Sequence, residues 1–138
     1  MYISAKTDYA CRALLELSLH WPKKDPLQIT VIAQTQDIPL KFLTQILLTL
    51  KQLGYVQSVR GKNGGYLLKM APGEIFLGDV VRGLGNSEFH VNIKNATDVI
   101  SVIWNEVEES MFQKMSEITF DTIINRTHQM NNLVMFNI

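Results

Sequence analysis

Two groups of side chains in this chain have types and spacings that suit a nucleic-acid duplex. Lys41, Thr44, Gln45 and Thr49 fall on one side of a segment whose other side carries Leu43, Ile46, Leu47 and Leu50 at helical spacing. In a major groove, a glutamine can pair bidentately with adenine, and a threonine can offer its hydroxyl or meet the methyl group of thymine. The second group is the run Arg60-Gly61-Lys62-Asn63-Gly64-Gly65. The flat, weakly hydrated guanidinium of Arg60 suits a narrow A·T minor groove, whereas Lys62 and the backbone N–H groups of Asn63, Gly64 and Gly65 suit phosphates. An isolated run of this kind would read as a solvated turn. One strand after a helix with a basic face, it reads as a DNA contact. From Ile38 to Gly73 there are five cationic residues, Lys41, Lys51, Arg60, Lys62 and Lys69, and no acidic one.

The elements that would carry these groups are legible from breakers and periodicity. A helix over Leu40–Leu53 is opened by Pro39, suited to a first-turn position, and closed by Gly54, suited to a left-handed cap. Tyr55–Val59 and Tyr66–Met70 alternate as strands around the glycine-rich turn, so helix and hairpin together predict a winged helix. Upstream, Thr30 is placed to cap Val31–Gln36 with Val31, Ile32 and Ala33 inward, and a short turn leads into the next helix, the helix-turn-helix arrangement. Thr7–Trp21 puts Ala10, Leu14, Leu17 and either Ser18 or Trp21 on one stripe, and Leu27-Gln28-Ile29 is long enough for a short strand against the wing. A helix over Leu77–Leu84 follows Pro72-Gly73 and ends at Gly85.

Beyond Gly85 the character changes. Thr97 and Asp98 cap the longest helical pattern, Val99 to about Glu117, with Ile100, Trp104, Val107, Met111, Met115 and Ile118 three or four apart and Glu106, Glu108 and Glu109 on the other side. A stripe of that size exceeds what a winged helix of about 80 residues needs for its own core, which predicts burial against a second copy in a two-fold homodimer. Thr119 and Asp121 start a last helix through about His128, expected to fold back over the stripe, and Leu133–Phe136 forms an apolar tail that should dock. The expected fold class is therefore mainly α with a small β wing. Its organisation is a DNA-binding domain over 1–84, an effector or sensor loop over 85–97, and a dimerisation helix with a C-terminal helix over 98–138.

Composition agrees. The chain has 138 residues, 46% of them hydrophobic, and a formal charge of zero. Residues 1–83 hold ten Lys and Arg against six Asp and Glu, whereas residues 84–138 hold three against seven, so the two halves suit different partners. No signal-peptide pattern and no apolar run of roughly 20 residues is present, which predicts a cytoplasmic protein without a membrane span. Cys11 is the single cysteine, so the chain can make no internal disulfide, and mid-helix beside Ala10 it reads first as a small hydrophobe and second as a redox sensor. His20, His90 and His128 lie on three different elements without ligand spacing, so no metal site is expected. No nucleophile, base and acid constellation is present, which argues against an enzyme.

Several stretches together resemble a known family. Ala33, the run Ile38–Leu47, Leu50, Gly54, Val56 and above all Ser58–Leu67 are similar to the bacterial winged-helix regulators grouped with IscR, NsrR and CymR, the Rrf-two family. The resemblance continues through Glu74-Ile75 and Asp79-Val80-Val81 to Trp104 and Ile118-Thr119-Phe120, and so spans nearly the whole chain. It implies a winged helix with a long dimerisation helix and sequence-specific transcriptional control, and the resulting expectation is a dimeric repressor that binds a palindromic operator in double-stranded DNA. Many members hold an iron-sulfur cluster on three cysteines in the loop before the long helix, but Gly83–Ser101 contains no cysteine here. Counted back from Trp104, the last cysteine and the neighbouring histidine of that pattern fall near Asp98 and Ser101. The expectation is a regulator without a cluster cofactor, responding to a small-molecule effector, a partner protein or Cys11 oxidation. His90, in the loop where the family places its sensor, is the other sensor candidate. The alternatives are a winged-helix protein-interaction module that uses the acidic half, or a sensor with an unusual cofactor shared between subunits.

Overall fold

A computed structural model describes residues 3–85 and 97–136. Helix α1, Ala5–His20, is capped by Ser4, whose side chain accepts from the Thr7 N–H at 3.2 Å, and it buries Ala10, Ala13, Leu14, Leu17 and Ser18. Of the two residues considered for the end of that stripe, Ser18 points inward, while Trp21 lies past the helix and is 41% exposed. Helix α2, Ile29–Gln36, begins one residue ahead of Thr30, which does not cap it; Gln28 takes the N-cap position without a side-chain bond. The cause lies in the preceding residue. Leu27 exchanges two backbone hydrogen bonds with Tyr66, at 3.0 and 2.8 Å, so the expected strand shrinks to a single bridge and the chain enters the helix at once. With that start the inward positions are Ile29, Ile32 and Ala33, and Val31 is turned out to 42% exposure, contrary to the sequence expectation.

After Asp37, whose φ of 52° closes α2 in the left-handed region, Pro39 serves as N-cap of α3, Leu40–Gln52. This sets the proline one position before the first turn. The helix buries Leu43, Ile46, Leu47 and Leu50, all four residues of the expected stripe. Gly54, at φ 89°, ends it with its N–H donated to Lys51 O. Strands β1, Val56–Val59, and β2, Gly65–Leu68, pair antiparallel with Val56 opposite Leu68 and Val59 opposite Gly65. Both strands are shorter than the alternating pattern suggested. A Cβ added to Gly65 would lie 2.1 Å from the Leu27 carbonyl oxygen, so glycine is what allows the Leu27–Tyr66 bridge to close beside the hairpin.

A 3-10 turn over Pro72–Glu74 leads to α4, Leu77–Gly83. Helix α5, Val99–Ser116, is capped by Asp98, which accepts from both the N–H and the hydroxyl of Ser101. Phe112 and Val81 form a small second core with Leu77, Met111 and Met115 alongside. Two members of the long apolar stripe are thus partly taken up by their own chain, through a phenylalanine that the stripe did not include. Glu106 and Glu109 are exposed and Glu108 is half-buried.

Helix α6, Phe120–Phe136, departs most from expectation: it packs on α1 and the 3-10 turn, not over α5, and it runs through the apolar tail. The reason is its root. Phe120 is fully buried in the main core beside Ile75, its N–H donates to Ile75 O at 3.0 Å, and the Leu77 N–H donates to Ile118 O at 2.8 Å. The axis therefore leaves toward α1, and Leu133, Val134 and Met135 are exposed. No helix among the described residues is long and apolar enough to cross a membrane.

Because Gly65 faces backbone rather than a flexible side chain, Gly65→Ala should destabilise the fold by about 1–3 kcal/mol. Urea denaturation followed by circular dichroism measures it. An unchanged midpoint would show that the Leu27 bridge contributes nothing.

Candidate nucleic-acid interface

With its apolar stripe committed to the core, α3 turns Lys41, Phe42, Thr44, Gln45 and Leu48 to solvent and leaves Thr49 half-exposed. All four reading residues inferred from the sequence are therefore accessible on one element. Two of them are more restricted in what they can do. The Thr44 hydroxyl donates to Leu40 O at 3.0 Å, and the Thr49 hydroxyl donates to Gln45 O at 3.1 Å. With their protons held inside the helix, these hydroxyls can accept from a base amino group or present a methyl, but not donate. Gln45 is exposed on the same face.

The wing is joined to the end of this helix by the Lys51 ammonium, which donates to the Ser58 hydroxyl at 2.8 Å. Arg60, Lys62 and Asn63 are exposed at the hairpin tip and Gly64 is half-buried, with its N–H donating to Gly61 O at 3.0 Å. That bond removes the Gly64 N–H from the set of phosphate donors inferred from the sequence; Arg60 and Lys62 remain as exposed cations at the tip. A Cβ on Gly64 would lie 2.3 Å from Val59 O, so the tight tip requires glycine there.

The structure adds a feature that periodicity did not bring out. A groove of about 450 Å³ runs between the start of α1 and α3, lined by Lys6, Tyr9, Phe42, Gln45, Ile46 and Thr49, together with Ala5. Phe42 is 56% exposed at its edge. The signal in the sequence was a phenylalanine lying off the inward stripe, next to Lys41.

Cys11 packs against the core from α1. Burial, and secondarily the charge of Asp8, pushes its thiol up to about 12. At neutral pH it is protonated, and the thiolate is the form that acts as nucleophile and metal ligand. No group of three or more His, Cys, Asp or Glu able to hold a metal occurs among the described residues. His90, the other sensor candidate, lies outside the described residues.

The sequence matches the model of the family described as "Rrf2: Iron-dependent Transcriptional regulator" over residues 3–126. The chain belongs to the Rrf2 family. It is 31% identical over 127 residues to Protein rrf2 of Nitratidesulfovibrio vulgaris, covering 86% of this chain and 84% of that one. Among solved structures it is similar to T. potens IscR, with a TM-score of 0.79, 28% identity, and 92% and 88% of the two chains covered. It is likewise similar to CymR, the global cysteine regulator of B. subtilis, with a TM-score of 0.82, 25% identity, and coverage of 91% and 98%. The Rrf2 assignment makes the chain a transcription regulator of a DNA-binding winged-helix family, not an enzyme. The sequence holds one cysteine, Cys11, whose thiol is desolvated on α1.

The Cys11 environment carries a pH consequence. A thiol whose folded value is raised from 9.0 to about 12 is favoured neutral in the fold. Its contribution to stability is complete below about pH 9 and is lost as pH rises from there toward 12, where the unfolded chain gains by deprotonating. Alkylation by iodoacetamide at pH 8 should accordingly be at least about a hundredfold slower in the native protein than in urea. Equal rates, followed by mass spectrometry, would overturn this account of the thiol.

Proposed function

We propose that this Rrf2-family chain acts as a homodimeric, sequence-specific repressor that binds a palindromic operator without a cysteine-held iron-sulfur cluster, in the cytoplasm. The observation that carries the reading is the pairing of two exposed elements. One is a helix with Lys41, Thr44, Gln45 and Thr49 on its free face; the other is a hairpin tip with Arg60 and Lys62, and no carboxylate lies between Ile38 and Gly73. Gln45 and the two threonines supply base readout in the major groove, Arg60 enters the adjacent minor groove, and Lys62 neutralises phosphate.

Dimerisation is supported by α5, where Ile100, Trp104 and Val107 are exposed by 60%, 47% and 45% in the single chain, flanked by exposed Val99, Val102 and Ile103. So large a contiguous apolar face on a soluble regulator marks an association surface. Met111 and Met115 extend it at the lower end, where they also touch Phe112. In this organisation residues 1–84 read DNA, 98–138 assemble the pair, and the loop over 85–97, with His90, receives a small-molecule or protein effector. Two-fold symmetry places the half-sites one or more helical turns apart, about 34–36 Å per turn.

The two parts of the reading head should respond differently to mutation. Arg60→Ala should weaken operator binding by about 1–3 kcal/mol, and Gln45→Ala should relax base preference at one position per half-site. Lys62→Ala should weaken all sequences alike and lower the salt slope by about one counterion. Fluorescence anisotropy on an operator library at several salt concentrations checks all three, and indifference of all three variants would refute the assignment.

Because Trp104 is half-exposed in the protomer, Trp104→Glu should leave the fold intact and dissociate the dimer, since the new carboxylate would be buried only in the pair. Light scattering with circular dichroism reads both quantities. A wild-type monomer at micromolar concentration would count against the dimer.

A further inference from the structure

Phe42 is the one large apolar side chain on the reading helix that stands more than half exposed, at 56%. It occupies the third residue of α3, within the first turn, and the N-terminal turns of a recognition helix are those that reach base edges. Gln45 lies three residues on and Lys41 one residue before, so an amide, a cation and an aromatic ring share one small area of surface. Ile46 and Tyr9 back the ring across the groove that opens beside it, and Lys6 adds a second cation to the rim. Among the described residues Phe42 belongs neither to the main core, to which α3 gives Leu43, Ile46, Leu47 and Leu50, nor to the side chains packed against it.

We propose that Phe42 is a base-reading residue that recognises the 5-methyl group of a thymine in the operator's major groove. The assignment rests on the DNA-reading role argued above and specifies one base that role must include. The thymine methyl is the apolar feature a base presents in the major groove, and an aromatic or methyl-bearing side chain is its natural contact. Continuity supports this occupant over a free ligand: the groove beside Phe42 shares Gln45 and Thr49 with the reading face, and the flanking charges, Lys6 and Lys41, match phosphates. The base content is also consistent across the molecule. Gln45 suits adenine, the methyls of Thr44 and Thr49 suit thymine, and Arg60 suits a narrow A·T minor groove, so Phe42 completes a preference for A·T-rich half-sites.

The test uses an operator selected from random duplexes, with its thymines replaced one at a time by deoxyuridine, which removes the methyl and leaves pairing intact. Separately from any thymine met by Thr44 or Thr49, wild-type protein should lose about fourfold in affinity at the thymine that Phe42 meets in each half-site, the worth of one buried methyl. Phe42→Ala should bind the thymine and uracil forms equally and Phe42→Leu should keep part of the preference, whereas Gln45→Ala should retain it in full while relaxing its own position. Wild-type indifference to uracil at every position, or survival in Phe42→Ala of every methyl preference the wild type shows, would overturn the assignment while leaving the DNA-reading role standing. Failure of the wild type to select any sequence would instead overturn that role, and this inference with it. Saturable binding of benzoate at the Phe42 ring, seen by NMR, without any methyl dependence would also overturn it and mark the groove as a small-molecule site.

Discussion

The packing of α3 on α1 is the contact on which the reading surface depends. Leu43, Ile46, Leu47 and Leu50 from one helix and Ala10, Ala13, Leu14 and Leu17 from the other are all nearly or fully buried in a single cluster. Each large side chain contributes about 1.5–3 kcal/mol by leaving water, and the two alanines let the backbones approach closely. Their more specific effect is on rotation. Turning α3 by one residue would bring Lys41 or Gln45 toward the core and move Leu43 or Leu47 outward, at the cost of an unpaired buried charge or amide. The core thereby dictates which side chains of α3 face solvent.

The hairpin depends on that same frame through backbone contacts. Gly65 and Tyr66 close against Leu27, and the Lys51 ammonium bonds the Ser58 hydroxyl, so the wing is held close to its tip both by the segment before α2 and by the end of α3. Charge is distributed in keeping with this division of labour. The first 83 residues carry an excess of four positive charges and the remainder an equal negative excess, which leaves the whole neutral. The proposed pairing through the apolar face of the acidic half would leave the cationic heads unobstructed.

Much of this was legible in the sequence because it rests on local rules. The α3 stripe, the Gly54 cap, the glycine-rich tip and the Asp98 cap each follow from a periodicity or a backbone requirement within a few residues. What was not legible depended on contacts distant in sequence. Thr30 fails to cap α2 because Leu27 is bonded to Tyr66, and Val31 faces water for the same reason. The course of α6 could not be inferred from Thr119–His128, since it is set by Phe120 inserting beside Ile75. Phe42 was overlooked for a different reason: an exposed aromatic on a polar face carries no periodic signal, and only the groove beside it gives it meaning.

The root of α6 has a mechanical consequence. Phe76 bridges Thr119, Phe120 sits in the N-terminal core, and Phe112 seats α5 on Val81 of α4. The C-terminal end of the long helix is therefore anchored to the N-terminal domain through Phe76, Phe112 and Phe120. In a two-fold pair built on α5, the separation and angular phase of the two heads become properties of the hydrophobic core. Each base pair inserted between half-sites moves one of them by about 3.4 Å and rotates it about the duplex axis, a displacement that such a welded frame cannot follow. In the proposed dimer, spacer length would then be discriminated by how the frame is held, at positions that no side chain touches.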